Sequence, residues 1–216
     1  MAELIPPSPL ARLYAFFEST GSERMQGLDE SYFTGMSESE KAQAWDFLKD
    51  RFDRSSDCII GLYLLDPLRA VDLFKEAVAA PIPETPYDAT RRDLEGNRVL
   101  MLRKIVEIDP QSAYLDAINE FSHSQFAGVR AAFAKAVPRE KVTPGTVAAL
   151  KGMIYTETEM SPLSAAITKL MSIHGVHYDP DDPLYKSAFT SLMSQDVDEK
   201  RVGMQRLEAF RAPVYI

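Results

Sequence analysis

The densest run of chemistry-capable side chains is His174-Gly175-Val176-His177-Tyr178-Asp179-Pro180-Asp181-Asp182, with two imidazoles and three carboxylates in nine residues. Imidazole and carboxylate are donors that a divalent metal accepts, so a metal ordering this loop is one chemistry the pattern allows. The competing reading is structural, because aspartates beside prolines make turns and cap helices, and His174 falls at a helix end. That reading is adopted here, and neither metal nor cofactor is expected. Cys58 is the only cysteine. It lies in an apolar run to Leu65 with nothing nearby in sequence to stabilise a thiolate, so it reads as a small buried hydrophobe. The carboxylates Glu107, Asp109, Glu157 and Glu159 could meet in space, yet a solvated helix end accounts for each. Gly-rich phosphate loops, nucleophile elbows and HExxH are missing from the sequence. The expectation is a protein that is not an enzyme.

The elements that would position these groups are helices. Asp57 to Ala80 reads as two helices joined at Asp66-Pro67, where aspartate caps the second helix and proline opens it. The same signal recurs at Ser8-Pro9, Asp109-Pro110, Thr143-Pro144, Ser161-Pro162 and Asp182-Pro183. Ser37 and Glu40 form a capping box opening a helix to about Arg54, with Trp45 in its apolar stripe. The first helix of the Asp57–Ala80 pair is apolar nearly all round and the second carries one stripe (Leu68, Val71, Phe74, Val78), which predicts an inner and an outer member. Leu94 to Ile108 repeats the inner pattern and Gln111 to Phe121 the outer one. Pro81 to Arg92 is the longest irregular segment and the one place for a boundary between halves. The tail from Arg211 reads as non-helical. With no convincing alternation of period two, the chain is predicted to be all-α.

At 216 residues, with 45% hydrophobic and 26% charged side chains, the chain can bury a good-sized core. Its net charge of −8 argues against tracking nucleic-acid phosphates or anionic membrane surfaces, and favours a basic partner. A basic groove in spite of that charge would revive a nucleic-acid-processing reading. The longest apolar run is far short of the roughly 18 residues of a membrane span, and residues 1–10 lack a basic region followed by a long apolar one. The expectation is a cytoplasmic protein.

Within the helical series, Phe126-Ala127-Gly128-Val129-Arg130-Ala131-Ala132-Phe133-Ala134 resembles the second helix of HEAT repeats, with Arg201-Val202-Gly203-Met204-Gln205-Arg206-Leu207 as a degenerate copy. The Asp66 to Asp109 interval fits the repeat length, whereas Thr143-Pro144 and Ser161-Pro162 come too early for it. The resemblance implies one all-α domain over 1–216, a right-handed HEAT-like α-solenoid of antiparallel helix pairs, with an irregular multi-helix bundle as the alternative. Residues 1–56 would be atypical capping helices and 57–210 the repeat array. It further implies a protein-binding module, such as an immunity-type protein that neutralises a basic toxin. The alternatives are a divergent nucleic-acid-processing enzyme or a structural subunit. Tyr87, Tyr155, Tyr178, Glu157 and Glu159 are the candidate partner contacts, aromatics being good anchors and carboxylates suiting a basic partner.

Overall fold

The computed structural model describes residues 8–179 and 181–216. The reading of residues 1–7, and Pro180 within the His174–Asp182 loop, lie outside that range. The described chain is all-helical, with no β-strand, and divides into two compact units, Met1–Pro81 and Ile82–Ile216. The division falls where the proline-rich segment begins. The Asp57–Ala80 pair, which the sequence reading joined to the array, therefore belongs to the first unit.

The first unit contains α1 (Pro9–Glu18), α2 (Ser22–Gln26), α3 (Glu38–Lys49), α4 (Ser56–Leu65) and α5 (Pro67–Ala79). Helix α3 starts at the Ser37–Glu40 capping box and stops short of Arg54, in a turn. Between α2 and α3 lies a single 3-10 turn, Glu30–Tyr32, capped by the Asp29 side chain. Asp66 Oδ1 accepts the Arg69 N–H at 3.1 Å, so the hinge folds as its sequence dictates. Ala70, Val71 and Phe74 of α5 are buried against α4, whose Cys58, Ile59 and Leu62 are fully covered. Gly61 of α4 brings α3 close, since a Cβ there would stand 3.0 Å from Leu48. Trp45 is buried, with the Arg69 guanidinium 3.9 Å over its ring.

The second unit contains α6 (Asp88–Ile108), α7 (Ser112–Asn119), α8 (Ala127–Ala136), α9 (Pro144–Thr156), α10 (Met160–Ile173), α11 (Pro183–Met193) and α12 (Val197–Phe210). Helices α6, α8 and α10 pack side by side, α11 joins α10, and α12 packs on α11. Helices α7 and α9 pair with each other, α7 also on α6 and α9 also on α10. Neighbours on both sides explain the double stripe of α6, where Val99, Met101, Leu102, Ile105 and Val106 are all buried. Helix α6 starts at Asp88, so the irregular segment is shorter than the sequence suggested. Between Pro86 and Pro110 no proline interrupts the chain, and the Arg91–Glu95 pair one turn apart supports the first turns of α6. Helix α10 starts one residue before Ser161, with Glu159 at its N-cap. The C-terminal tail is non-helical as expected, but it docks beside Val142, whose N–H donates to the Val214 carbonyl and whose carbonyl accepts from Ile216. Among the described residues no helix is long and apolar enough to cross a membrane.

Candidate functional site

Helix α10 separates its residue types by face. Leu163, Ile167 and Leu170 are buried, together with Ala166 and Met171. The opposite face carries Ser161, Ser164, Thr168 and Ser172 at steps of three and four residues, with Ala165 and Lys169 between them. This row of short hydroxyl side chains lines a cavity of about 880 Å³. Lys135 in the last turn of α8 and Arg139 beyond it form one wall. Val176, His177 and Tyr178, between α10 and α11, and Tyr185 on α11 form the other.

The aromatic wall is built on contact between rings. Tyr178 meets Tyr185 edge-to-face at 5.2 Å, and Tyr185 stacks on Phe189 at 5.7 Å. Tyr185 is buried, which pushes its phenol pKa up, whereas Tyr178 is 72% exposed and leaves its outer face open to a ligand.

The cationic wall has no carboxylate partner. Among the described residues no acidic side chain lines the cavity or pairs with Lys135, Arg139 or Lys169. Lys169 donates instead to the carbonyl of Val137, the residue that ends α8. Burial pushes its ammonium pKa down to about 8, helped by the like charges of Arg139 and then Arg103. A smaller cavity of about 210 Å³ shares Lys135, Arg139 and Lys169 and adds Arg103 and Glu107. There the carboxylate is already engaged by Arg103 at 3.0 Å and Lys104 at 2.8 Å. Three cations thus face a hollow whose own lining carries no carboxylate, with Glu107 in the adjoining cavity.

A second polar cluster is internal. Arg91 Nε donates to Glu95 Oε1 at 2.7 Å, and the Ser124 hydroxyl donates to Glu95 Oε2 at 2.6 Å. Arg130 Nη1 donates to the Ser124 carbonyl at 2.8 Å, and its Nε and Nη2 engage both oxygens of Glu157. Glu157 also accepts the backbone N–H groups of Thr158 and Glu159. The chain of contacts ties α6, the turn before α8, α8 itself and the α9–α10 connection together. These groups satisfy one another, which is what buried charge requires.

Of the candidate contacts read from the sequence, Tyr178 lines the cavity; Tyr87, Tyr155, Glu157 and Glu159 do not. Tyr87 is exposed at the N-cap of α6, Tyr155 is partly exposed in the last turn of α9, and Glu159 is exposed at the N-cap of α10. Glu157 has a side chain only 5% exposed and held by Arg130, so in this fold it is not free for a partner. His174 is engaged through one ring nitrogen, and its Nε2 is buried without a hydrogen-bond partner among the described residues. It is buried, with Nδ1 2.5 Å from the Arg211 carbonyl, while His177 is exposed. Among the described residues no group of three His, Cys, Asp or Glu side chains could hold a metal ion. The meeting of Lys135 and Arg139 with Lys169 was not legible in the sequence because Lys169 lies far along the chain from the other two. The signal within reach was the 3-4-4 spacing of hydroxyls from Ser161 to Ser172.

Comparison with known protein families, characterised proteins and solved structures gave no match to this chain.

Proposed function

We propose that the chain is a non-enzymatic protein-binding module, with its second unit a short HEAT-like α-solenoid that holds a segment of another protein along α10. The observation that carries this reading is the α10 hollow. Its floor is a row of small hydroxyl side chains, one wall is aromatic and the other cationic. Such a surface offers hydrogen bonds and a stacking anchor at low entropic cost. The solenoid reading rests on the side-by-side packing of α6, α8 and α10 with α7 and α9 paired against them. A toxin-neutralising role of the immunity type fits a module of this size. A basic toxin, which the net charge suggests, would have to meet carboxylates elsewhere, because the hollow itself is cationic.

The cations also bear on a nucleic-acid reading. A strand needs a basic track that follows its backbone, whereas here three cations gather at one wall of a chain with net charge −8. A local corner of charge suits an anionic group on a segment better than a polyanion.

A photo-activated crosslinker placed at Thr168, in the hollow, tests the proposal in the native host against one placed at Gln205, exposed on α12. The expected result is a protein adduct from Thr168 that disappears with Tyr178→Ala and does not form from Gln205. Adducts of equal yield from both positions, or none from Thr168, would overturn it.

A further inference from the structure

We propose that the hollow along α10 selects an extended peptide segment bearing acidic side chains and an aromatic residue, the acids meeting Lys135, Arg139 and Lys169 and the ring meeting Tyr178. This rests on the binding-module reading above and gives the partner segment a sign and a shape.

The shape follows from the floor. Ser161 to Ser172 spans about 16 Å at 1.5 Å per residue, the reach of about five extended residues. The hydroxyls of Ser161, Ser164 and Thr168 can both donate and accept, and that of Ser172, which donates to the Lys169 carbonyl, can still accept; this matches the alternating N–H and C=O groups of an extended backbone. Side chains this short let that backbone approach the helix. A small compact anion would use only the cationic corner and leave most of the row unmet.

The sign follows from the wall. Lys135 and Arg139 are exposed and Lys169 is half-buried, and no carboxylate lines the 880 Å³ space they face. Repulsion among the three cations is relieved by an incoming anion and increased by a basic one. The aromatic requirement comes from Tyr178, which Tyr185 backs edge-to-face while its own ring stays exposed. The anions of the segment are the carboxylates of Asp and Glu, which accept charge-assisted hydrogen bonds from ammonium and guanidinium groups.

Selection of random short peptides displayed on phage, using the immobilised full chain, tests the inference without a guess at the partner. Thr168→Trp serves as the blocked-groove control. Enrichment of peptides that combine Asp or Glu with an aromatic residue, and that are lost on Thr168→Trp, is expected. Arg139→Gln with Lys169→Gln should weaken the winning peptide at least about tenfold, the size of one charge-assisted hydrogen bond, with thermal unfolding confirming that the variants fold. Enrichment of basic or neutral peptides that still need the open groove would overturn the inference while leaving the binding face intact. No groove-dependent enrichment would overturn both.

Discussion

Arg130 and Glu157, twenty-seven residues apart in sequence, share two hydrogen bonds, Nε to Oε2 at 2.5 Å and Nη2 to Oε1 at 3.0 Å, with side chains only 17% and 5% exposed. The pair fixes α8 to the connection between α9 and α10. It therefore sets the position of the helix whose outer face lines the cavity.

Breaking the pair from one side leaves Arg130 charged and poorly solvated. Glu157→Gln is expected to cost about 3 kcal/mol at neutral pH, measured by urea unfolding followed by circular dichroism. Arg130 holds the Glu157 carboxyl below its ordinary value of 4.5. A depressed carboxylate pKa stabilises the fold above the unfolded value and loses that contribution as pH falls through the folded one. The gap between wild type and Glu157→Gln should accordingly close in acid, and a gap unchanged down to pH of about 3 would contradict the role given to the pair.

Helices α11 and α12 meet at Gly203, where an added Cβ would lie 2.7 Å from the Cβ of Ser191. Gly203→Ala forces that contact apart, and overpacking of this kind costs roughly 1 to 3 kcal/mol. Ser191→Gly in the same chain should return part of the loss, measurable as the midpoint of thermal unfolding. A double variant no more stable than Gly203→Ala would show that the helices are not in close contact there.

Asp66 is a joint of the first unit, capping α5 through the Arg69 N–H. Asp66→Ala should lower the stability of that unit by about 1 kcal/mol. Trp45, the only tryptophan, is buried in the same unit and reports its unfolding by fluorescence. Peptide binding at the α10 hollow should not change, and a loss of binding at unchanged stability would make Asp66 part of a site.

Features written in adjacent residues were legible before the structure. Ser8, Ser37, Asp66, Thr143 and Asp182 all cap the helices that their neighbours announce. The double stripe of α6 marked it as a helix packed on both sides. Features made by distant residues were not legible. Nothing near Glu157 announces Arg130, and nothing near Lys169 announces Arg139, because each pair meets only when α8 packs beside the chain around α10. Ser161-Pro162 misled, because Glu159 and not Ser161 is the N-cap of α10, and so did Asp109-Pro110, because Gln111 is the N-cap of α7. A proline fits the whole first turn of a helix, so it marks the neighbourhood of a start and not the residue.

His174 links the end of α10 to the tail. A carbonyl can only accept, so Nδ1–H donates to the Arg211 oxygen, and burial lowers the imidazole pKa from 6.5 although this hydrogen bond opposes the shift. A folded pKa below the unfolded one means that the unfolded chain binds more protons, so stability falls as pH drops below about 6.5. Wild type is expected to lose stability from neutrality toward acid more steeply than His174→Gln. Parallel curves for the two proteins over that range would rule out His174 as the titrating group.

Lys169 offers the most direct reading of the cationic wall. Its pKa near 8 has burial as its largest cause, with Arg139 next and Arg103 after it. Lysine side-chain NMR should show the Lys169 ammonium titrating near that value, below the ordinary lysine value of about 10.4. Arg139→Gln removes the larger of the two like-charge contributions and should move the Lys169 midpoint upward without abolishing the shift, because burial remains. Between the two values the unfolded chain holds a proton that the folded chain has lost, so stability should rise with pH across that window. Binding of an acidic peptide works in the opposite direction to burial, since an anion beside the ammonium favours its charged form. A saturating acidic peptide should therefore raise the Lys169 midpoint, and a neutral analogue of the same length should not. An unmoved midpoint with the acidic peptide fully bound would place that peptide somewhere other than the wall of Lys135, Arg139 and Lys169.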